Sequence, residues 1–250
     1  MQPLTYFWLF LAGLGGGFID AIAGGGGLIS LPALLATGMP PQVALGTNKL
    51  QAACGTCIAV WHYAKAGLMK TPQLWVAVVL SFFASMGGAF AVSVLSKDLL
   101  RQLIPWMLAA VAVYTALNRR FGIHAGKQWV SPVLFAMAFG IVIGFYDGFF
   151  GPGTGSFWTI GLVALLGMDL RHATGYTKAA NLASNLGSLG IFLAFGAVHF
   201  PAAGAMVAGQ LIGARLGSGL VIRKGAAFIR PVFLGVVFAM TAKLMWDVWA

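Results

Sequence analysis

The chain has 250 residues, of which 60% are hydrophobic and 8% are charged, and its mean hydropathy is +0.90. A soluble domain carries roughly 25% charged residues because its surface must be hydrated, so these proportions exclude a soluble protein and predict an integral membrane protein. The net charge of +10 would suit a nucleic-acid partner, but its distribution along the chain follows membrane topology instead.

Ten apolar segments follow one another, and most reach the ~20 residues that a helix needs to cross the hydrocarbon core. In chain order they are 4–23, 28–38, 47–66, 72–95, 99–118, 132–150, 155–167, 174–196, 201–222 and 228–248. The sequence therefore predicts an all-α integral membrane protein. Since the first ionisable side chain is Asp20, the amino terminus is interpreted as a retained first helix and not as a cleaved signal peptide.

The second half of the chain repeats the first. Residues 17–26 return as 144–153, and after a two-residue insertion residues 44–49 return as 173–178. Each copy holds five segments, and because this number is odd the second copy must enter the membrane from the opposite side. We therefore predict two inverted repeats, 1–125 and 126–250, in one transmembrane domain.

The basic residues favour ten crossings. If all ten segments cross, one side of the membrane holds most of them: Lys65, Lys70, Arg119, Arg120, Lys127, Arg171, Arg223, Lys224 and Arg230. The other side holds Lys49, Lys97, Arg101 and Lys243. This bias disappears if the two short segments, 28–38 and 155–167, enter the membrane and return to the same side. By the positive-inside rule the richer side is cytoplasmic, which places both termini outside.

Each repeat contains a glycine-rich break before a short segment, at Gly24 to Gly27 and at Gly151 to Gly155. Unwound backbone survives in a membrane only within protein or beside a watery cavity. The free amides at the start of the following helix suit an anion. Glycine can instead serve close helix packing, but runs of this length exceed what packing requires and favour a binding site.

Polar donors follow the breaks at the predicted starts of segments 3 and 8. They are Thr47, Asn48, Lys49, Thr177 and Lys178, with Asn181 and Asn185 deeper in segment 8. Hydroxyl, amide and ammonium groups complement a sulfur or phosphorus oxyanion. Alternatively, the first donors cap the helices and the lysines snorkel to the interface.

Asp20 and Asp147 are the acids that lie well inside apolar segments. A carboxylate in the membrane can bind and release a coupling proton. The alternative is structural: each carboxylate accepts hydrogen bonds from amides of the glycine stretch that follows it.

Enzyme chemistry finds little support. The chain has no glutamate, its four histidines are scattered, and Cys54 and Cys57 lack partner ligands. No nucleotide loop or nucleophile motif is present. We therefore predict a protein that is not an enzyme, with no cofactor and no metal.

The break followed by Pro32, the element formed by Ala44, Gly46, Thr47 and Asn48, and the second copy at 144–178 resemble the sulfite exporter TauE/SafE family. These proteins are also called TSUP permeases, and the chain is most similar to their YfcA-like bacterial members. The resemblance implies a multi-pass transporter of the bacterial inner membrane for a small sulfur-containing anion such as sulfite, a sulfonate, sulfoacetate or thiosulfate. Carried over residue by residue, it implies binding positions at Gly24, Gly25, Gly26, Thr47, Asn48, Gly151, Gly153, Thr154 and Thr177. The second copy departs from the first at Pro152 and at Tyr176.

The resulting hypothesis is a secondary transporter that alternates access to one site between the repeats. Its expected partners are a small anion, the lipid bilayer and a coupling proton or sodium ion, with no nucleic acid. Two alternatives stay open: an anion channel, and a non-transporting membrane partner of an enzyme.

Overall fold

The structure, a computed structural model, describes residues 1–69, 75–117 and 127–224. Within these ranges the regular structure is helical and includes no strand, which confirms the predicted all-α class. The helices are α1 (Pro3–Ala23), α2 (Gly27–Leu35), α3 (Pro41–Lys65), α4 (Trp75–Ser93), α5 (Lys97–Leu117), α6 (Pro132–Phe149), α7 (Thr154–Leu166), α8 (Leu170–Ala194) and α9 (Phe200–Lys224). The predicted segment 228–248 lies outside the described residues.

Two helices begin earlier than the sequence pattern predicted. Helix α3 starts at Pro41, a residue suited to the first helical position, and α8 starts after Asp169. The Asp169 carboxylate caps α8 by accepting from the N–H groups of Arg171 and His172 at 3.1 and 3.3 Å. Burial acts to raise the pKa of Asp169, but its hydrogen bonds with His172 and Arg171 outweigh burial and lower that pKa.

Four helices in the described part are long and apolar enough to cross a membrane, by length and composition: Pro3–Ile22, Trp75–Ser93, Pro132–Phe149 and Phe200–Ile222. Helices α3 and α8 are longer, at 25 residues each, but they bury many polar side chains. A helix that buries polar side chains has a lower mean hydropathy than a helix that faces lipid. The prediction of ten crossings in two inverted repeats stays a prediction.

The most extensive helix packing joins the two halves of the chain. Helix α1 packs chiefly on α9, and its repeat counterpart α6 packs chiefly on α4, the counterpart of α9. Glycines make both contacts close, since a Cβ added at Gly209 or Gly213 would strike the α1 backbone, and one added at Gly144 or Gly148 would meet the α4 backbone. Gly217 makes the same kind of contact, since a Cβ added there would strike the Phe18 carbonyl oxygen of α1.

Helices α3 and α8 also contact each other, and the short helices α2 and α7 lie beside them. The buried polar residues of the described part concentrate on α3 and α8. This arrangement places the glycine breaks, at the starts of α2 and α7, next to the most polar helices.

Candidate functional site

The two glycine breaks lie against each other. The Gly155 N–H donates to the Gly24 carbonyl at 3.2 Å. A Cβ added at either residue would strike the Cα of the other, and one added at Gly27 would lie 3.1 Å from the Cα of Pro152. The contact is therefore backbone on backbone, and one amide predicted to face a ligand is already used by the opposite break.

The breaks differ in conformation. Gly24 has a φ of 71°, in the left-handed region that L side chains rarely adopt, whereas Gly26 is right-handed at −57°. In the second break both Gly151 and Gly153 are left-handed, with φ of 97° and 83°. Pro152 between them fixes its own φ and offers no N–H. The departure noted in the sequence thus changes the number of donors that each break can offer.

Each buried lysine pairs with an aspartate of the other half. Lys49 Nζ lies 2.8 Å from Asp147 Oδ1, and Lys178 Nζ lies 3.0 Å from Asp20 Oδ2. The lysine side chains are 1% and 0% exposed. Both lysines are repeat counterparts, as are both aspartates, so the same ion pair is made twice, reciprocally, between the repeats.

These pairs correct two expectations. The alternative in which Lys49 and Lys178 snorkel to the interface is wrong, because both residues lie about two turns inside their helices and are buried. Lys49 also does not belong to a connecting segment, although the count of basic residues on each side of the membrane treated it as one that does. Asp20 and Asp147 were expected to accept from amides of the glycine stretches, but in the structure each carboxylate forms an ion pair with a lysine. Such pairing balances the buried charges.

The other predicted residues divide between the breaks and the helix contacts around them. Asn48 Oδ1 accepts from Ser30 Oγ of α2 at 2.5 Å and from Gln51 Nε2 at 2.8 Å. Thr47 Oγ1 accepts from the His199 N–H at 2.9 Å, so it anchors the start of α9 instead of facing the breaks. Gly25 and Gly26 are buried at the start of α2.

In the second half, Thr177 Oγ1 lies 3.0 Å from Thr159 Oγ1 of α7. Asn181 adjoins the break, because its Nδ2 lies 3.0 Å from where a Cβ on Gly155 would be. Thr154 Oγ1 lies 3.1 Å from Asp147 Oδ1 and 2.5 Å from the Gly151 carbonyl oxygen, so its one proton is shared between these two acceptors. Asn181 and Asn185 are 5% and 6% exposed.

Sequence reasoning missed Ser30, Gln51 and Ser184. Ser30 and Gln51 bond to Asn48, and Ser184 Oγ donates to Asp147 Oδ2. Helical periodicity could have found the latter two, because Gln51 follows Asn48 by three residues and Ser184 follows Asn181 by three.

Several amide oxygens near the breaks are buried without a hydrogen-bond partner among the described residues. They include Gln51 Oε1, Asn181 Oδ1 and Gln210 Oε1. The Gln210 side chain lies against Gly17 and Gly55, and its Oε1 is 3.0 Å from a Cβ position on Gly17. Buried polar groups normally have a partner, so these amides have capacity for a polar ligand or water.

No group of three or more His, Cys, Asp or Glu that could hold a metal occurs in the described ranges. Cys54 and Cys57 are both free, and Cys57 is exposed. The pair is not disulfide-bonded.

The sequence comparisons agree on one family. The profile of the sulfite exporter TauE/SafE family matches residues 9–244. The chain is a member of the sulfite exporter TauE/SafE family. It is therefore a multi-pass membrane transporter by family, and its relatives are named as probable membrane transporter proteins.

Among these TauE/SafE relatives, a "Probable membrane transporter protein" of Haemophilus influenzae is 40% identical over 239 residues, 96% of this chain and 94% of its own length. The "Probable membrane transporter protein YfcA" of Escherichia coli K12 is 39% identical over 247 residues, 99% of this chain and 92% of its own length. The "Probable membrane transporter protein YdhB" of Bacillus subtilis is 27% identical over 242 residues, 92% of this chain and 96% of its own length. No solved structure matches the chain.

Proposed function

We propose that this TauE/SafE transporter is a secondary transporter that binds one small sulfur-containing anion between its two repeats and exposes it alternately to each side. The observation that carries the proposal is the convergence of two buried lysines, one from each repeat, beside two glycine breaks that touch. Broken helices that meet at a repeat interface are the recurring architecture of secondary-transporter sites.

The donor set suits an oxyanion. Lys178 supplies a full positive charge, Asn181 supplies an amide N–H₂, and the positive dipole ends of α2 and α7 add to them. The N–H groups of residues 154–157 at the start of α7 already donate to backbone carbonyls. Charge-assisted hydrogen bonds from such donors are stronger than neutral ones. Sulfite, a sulfonate, sulfoacetate and thiosulfate present several acceptor oxygens around one sulfur, which matches donors arriving from different helices. The family's name for sulfite export favours the same class of substrate.

A transporter fits the geometry better than a channel. Because the Gly24 and Gly155 backbones are in contact, the repeats close on each other at the level of the breaks. A backbone contact of this kind between the repeats could open and close, which suits alternating access by rocking of one repeat against the other. We further propose an inner-membrane location with both termini periplasmic, from the distribution of basic residues.

Binding of the anion is expected to stabilise the purified protein. A ligand at 100 times its dissociation constant adds roughly 2.7 kcal/mol to the folded state, which a thermal-shift measurement at fixed ionic strength detects as a raised Tm. The panel comprises sulfite, sulfate, thiosulfate, sulfoacetate, taurine, phosphate, acetate and chloride. We expect selective stabilisation by one or more sulfur oxyanions.

For the break variant Gly24→Ala the matched control is Gly38→Ala, because Gly38 is left-handed like Gly24 (φ 78° against 71°) but has nothing within 4 Å of an added Cβ. This variant should keep the anion-dependent shift, although its starting Tm is lower. Equal shifts from all anions, or none in folded protein, would contradict a specific sulfur-anion site.

A further inference from the structure

The two lysine–aspartate pairs are chemically unequal, although the repeat places them at matching positions. Both Asp147 oxygens have partners: Oδ1 accepts from Lys49 Nζ and Thr154 Oγ1, and Oδ2 accepts from Ser184 Oγ. Lys49 Nζ also donates to the Asp147 carbonyl. This carboxylate is therefore held by three side chains from α3, α7 and α8.

The Asp20 pair lacks these extra hydroxyls. The repeat counterparts of Thr154 and Ser184 are Gly27 and Gly55, and glycine has no side chain to donate. The Asp20 side chain is 15% exposed, against 5% for Asp147, while its partner Lys178 is fully buried. Of the two carboxylates, Asp20 is therefore the less enclosed and the one with fewer side-chain partners.

Charge balance then restricts what an arriving anion can do. Lys178 carries one positive charge in a buried position, and a buried charge must be balanced. If an anion joined Lys178 while Asp20 remained ionised, two negative charges would share one ammonium in a poorly solvated site. Neutralising Asp20 with a proton removes this excess.

We propose that the substrate anion replaces the Asp20 carboxylate on Lys178 while that carboxylate takes up one proton, so that anion and proton cross together. In the exchange one ionic contact, Lys178 to Asp20, is broken and another, Lys178 to the anion, is formed. The proton comes from the entry side and forms the O–H bond on Asp20. On release the anion and this proton leave to the other side, and Asp20 pairs with Lys178 again. The Lys49–Asp147 pair stays closed throughout as a fixed contact between the repeats. This inference rests on the transport function proposed above.

The same balance explains why the empty protein can return. Without substrate the Lys178–Asp20 pair is neutral, and with substrate the lysine, the anion of single charge and the protonated Asp20 are again neutral together. Neither state moves an uncompensated charge through the membrane interior. A dianion such as thiosulfate would instead carry one net negative charge.

Other titratable groups lie near Asp20 and must be separated from it. Lys178 of α8 faces it directly, and Tyr63 of α3 donates to the neighbouring Ala21 carbonyl at 2.9 Å. His62, beside Tyr63, lies 2.7 Å from Ser218 of α9 through its Nδ1. The nearby Gln210 of α9 does not titrate, and α2 and α7 approach through glycines of the breaks. His62 is therefore the group to exclude by mutation.

The test counts protons per anion in liposomes that contain the purified protein and an internal pH dye. Labelled methanesulfonate and thiosulfate are the probes, because their charges are fixed near neutral pH, whereas sulfite itself binds a proton there. We expect about one proton per anion for the wild type, and accumulation of either probe driven by an inward proton gradient. Methanesulfonate uptake should ignore the membrane potential and thiosulfate uptake should respond to it.

In Asp20→Asn the amide mimics the protonated acid, so exchange of labelled for unlabelled anion should persist, while the proton-to-anion ratio of any net uptake falls to near zero. His62→Gln should leave that ratio unchanged. Asp147→Asn should lower protein stability and total transport, but keep about one proton for each anion that still crosses. An unchanged ratio in Asp20→Asn would overturn the proposal.

Two further outcomes separate the claims. If Asp20→Asn does not fold, the wild type decides: net anion uptake without proton uptake overturns the coupling and leaves the proposed function intact. If the folded wild type exchanges none of sulfite, thiosulfate and methanesulfonate, the proposed function fails and this inference fails with it.

Discussion

Replacing Lys49 by methionine is expected to lower the free energy of unfolding by about 3–5 kcal/mol, because it leaves the buried Asp147 carboxylate without its cation. Asp147 is 5% exposed, so water cannot take the place of the lysine. Methionine keeps most of the side-chain volume, which confines the effect to the lost charge. The measurement is unfolding of the purified protein in mixed micelles with increasing denaturing detergent.

Two variants calibrate this result. Lys178→Met should be milder, because Asp20 is more exposed and can be hydrated. The double variant Lys49→Met with Asp147→Asn should regain much of the loss, since no unbalanced charge remains. A Lys49→Met protein as stable as the wild type would contradict the buried ion pair, and an additive double variant would contradict the coupling between its members.

Gly24→Ala is expected to be the most damaging substitution in the breaks, because it combines a left-handed φ with a clash against backbone atoms. Gly153 is also left-handed, but an added Cβ there meets the Val111 side chain. The left-handed backbone costs an L residue about 1–2 kcal/mol, and the new Cβ would strike the Gly155 backbone, where overpacking typically costs about 1–3 kcal/mol more. Since the contact joins the two halves, transport should be lost together with stability. Thermal unfolding and anion exchange in liposomes measure the two effects.

The chain offers controls that separate the penalties. Gly38→Ala has the left-handed conformation with open space around it, so it should show the backbone penalty alone. Gly155→Ala lies in a helix and meets the Gly24 backbone, so it should show the steric penalty alone. Gly190→Ala is helical with nothing within 4 Å and should stabilise the protein by about 0.4–1 kcal/mol. Equal effects at Gly24 and Gly38 would mean that the breaks do not touch.

Much of the fold could be predicted from the sequence, because helices in a membrane must satisfy their own backbone and therefore appear as long apolar runs. The starts of α3 and α8 could not, since hydropathy identifies lipid-facing surface and both helices begin with polar or mixed sequence. Pro41 and Asp169 carried the missing information as helix-start residues.

The repeated breaks predicted where the candidate site lies, but they did not predict which lysine pairs with which aspartate. Repeat symmetry gives two aspartates and two lysines in matching places, and intramembrane charges pair with one another. Whether each lysine pairs within its own half or across to the other depends on which helices pack together. Here α1 packs on α9 and α6 on α4, so the halves interleave and the pairs cross. The hydroxyls that distinguish Asp147 from Asp20 could be assigned to Asp147 only from the packing of the helices.

The most direct test of the central claim is counterflow of a labelled sulfur anion into liposomes that contain the purified protein and are preloaded with the same unlabelled anion. The claim predicts a transient accumulation of label that saturates with external anion and is lost in Gly25→Leu and Gly153→Leu. Flux that rises without saturation and shows no counterflow would indicate a channel. Normal counterflow in both glycine variants would contradict the placement of the site at the breaks.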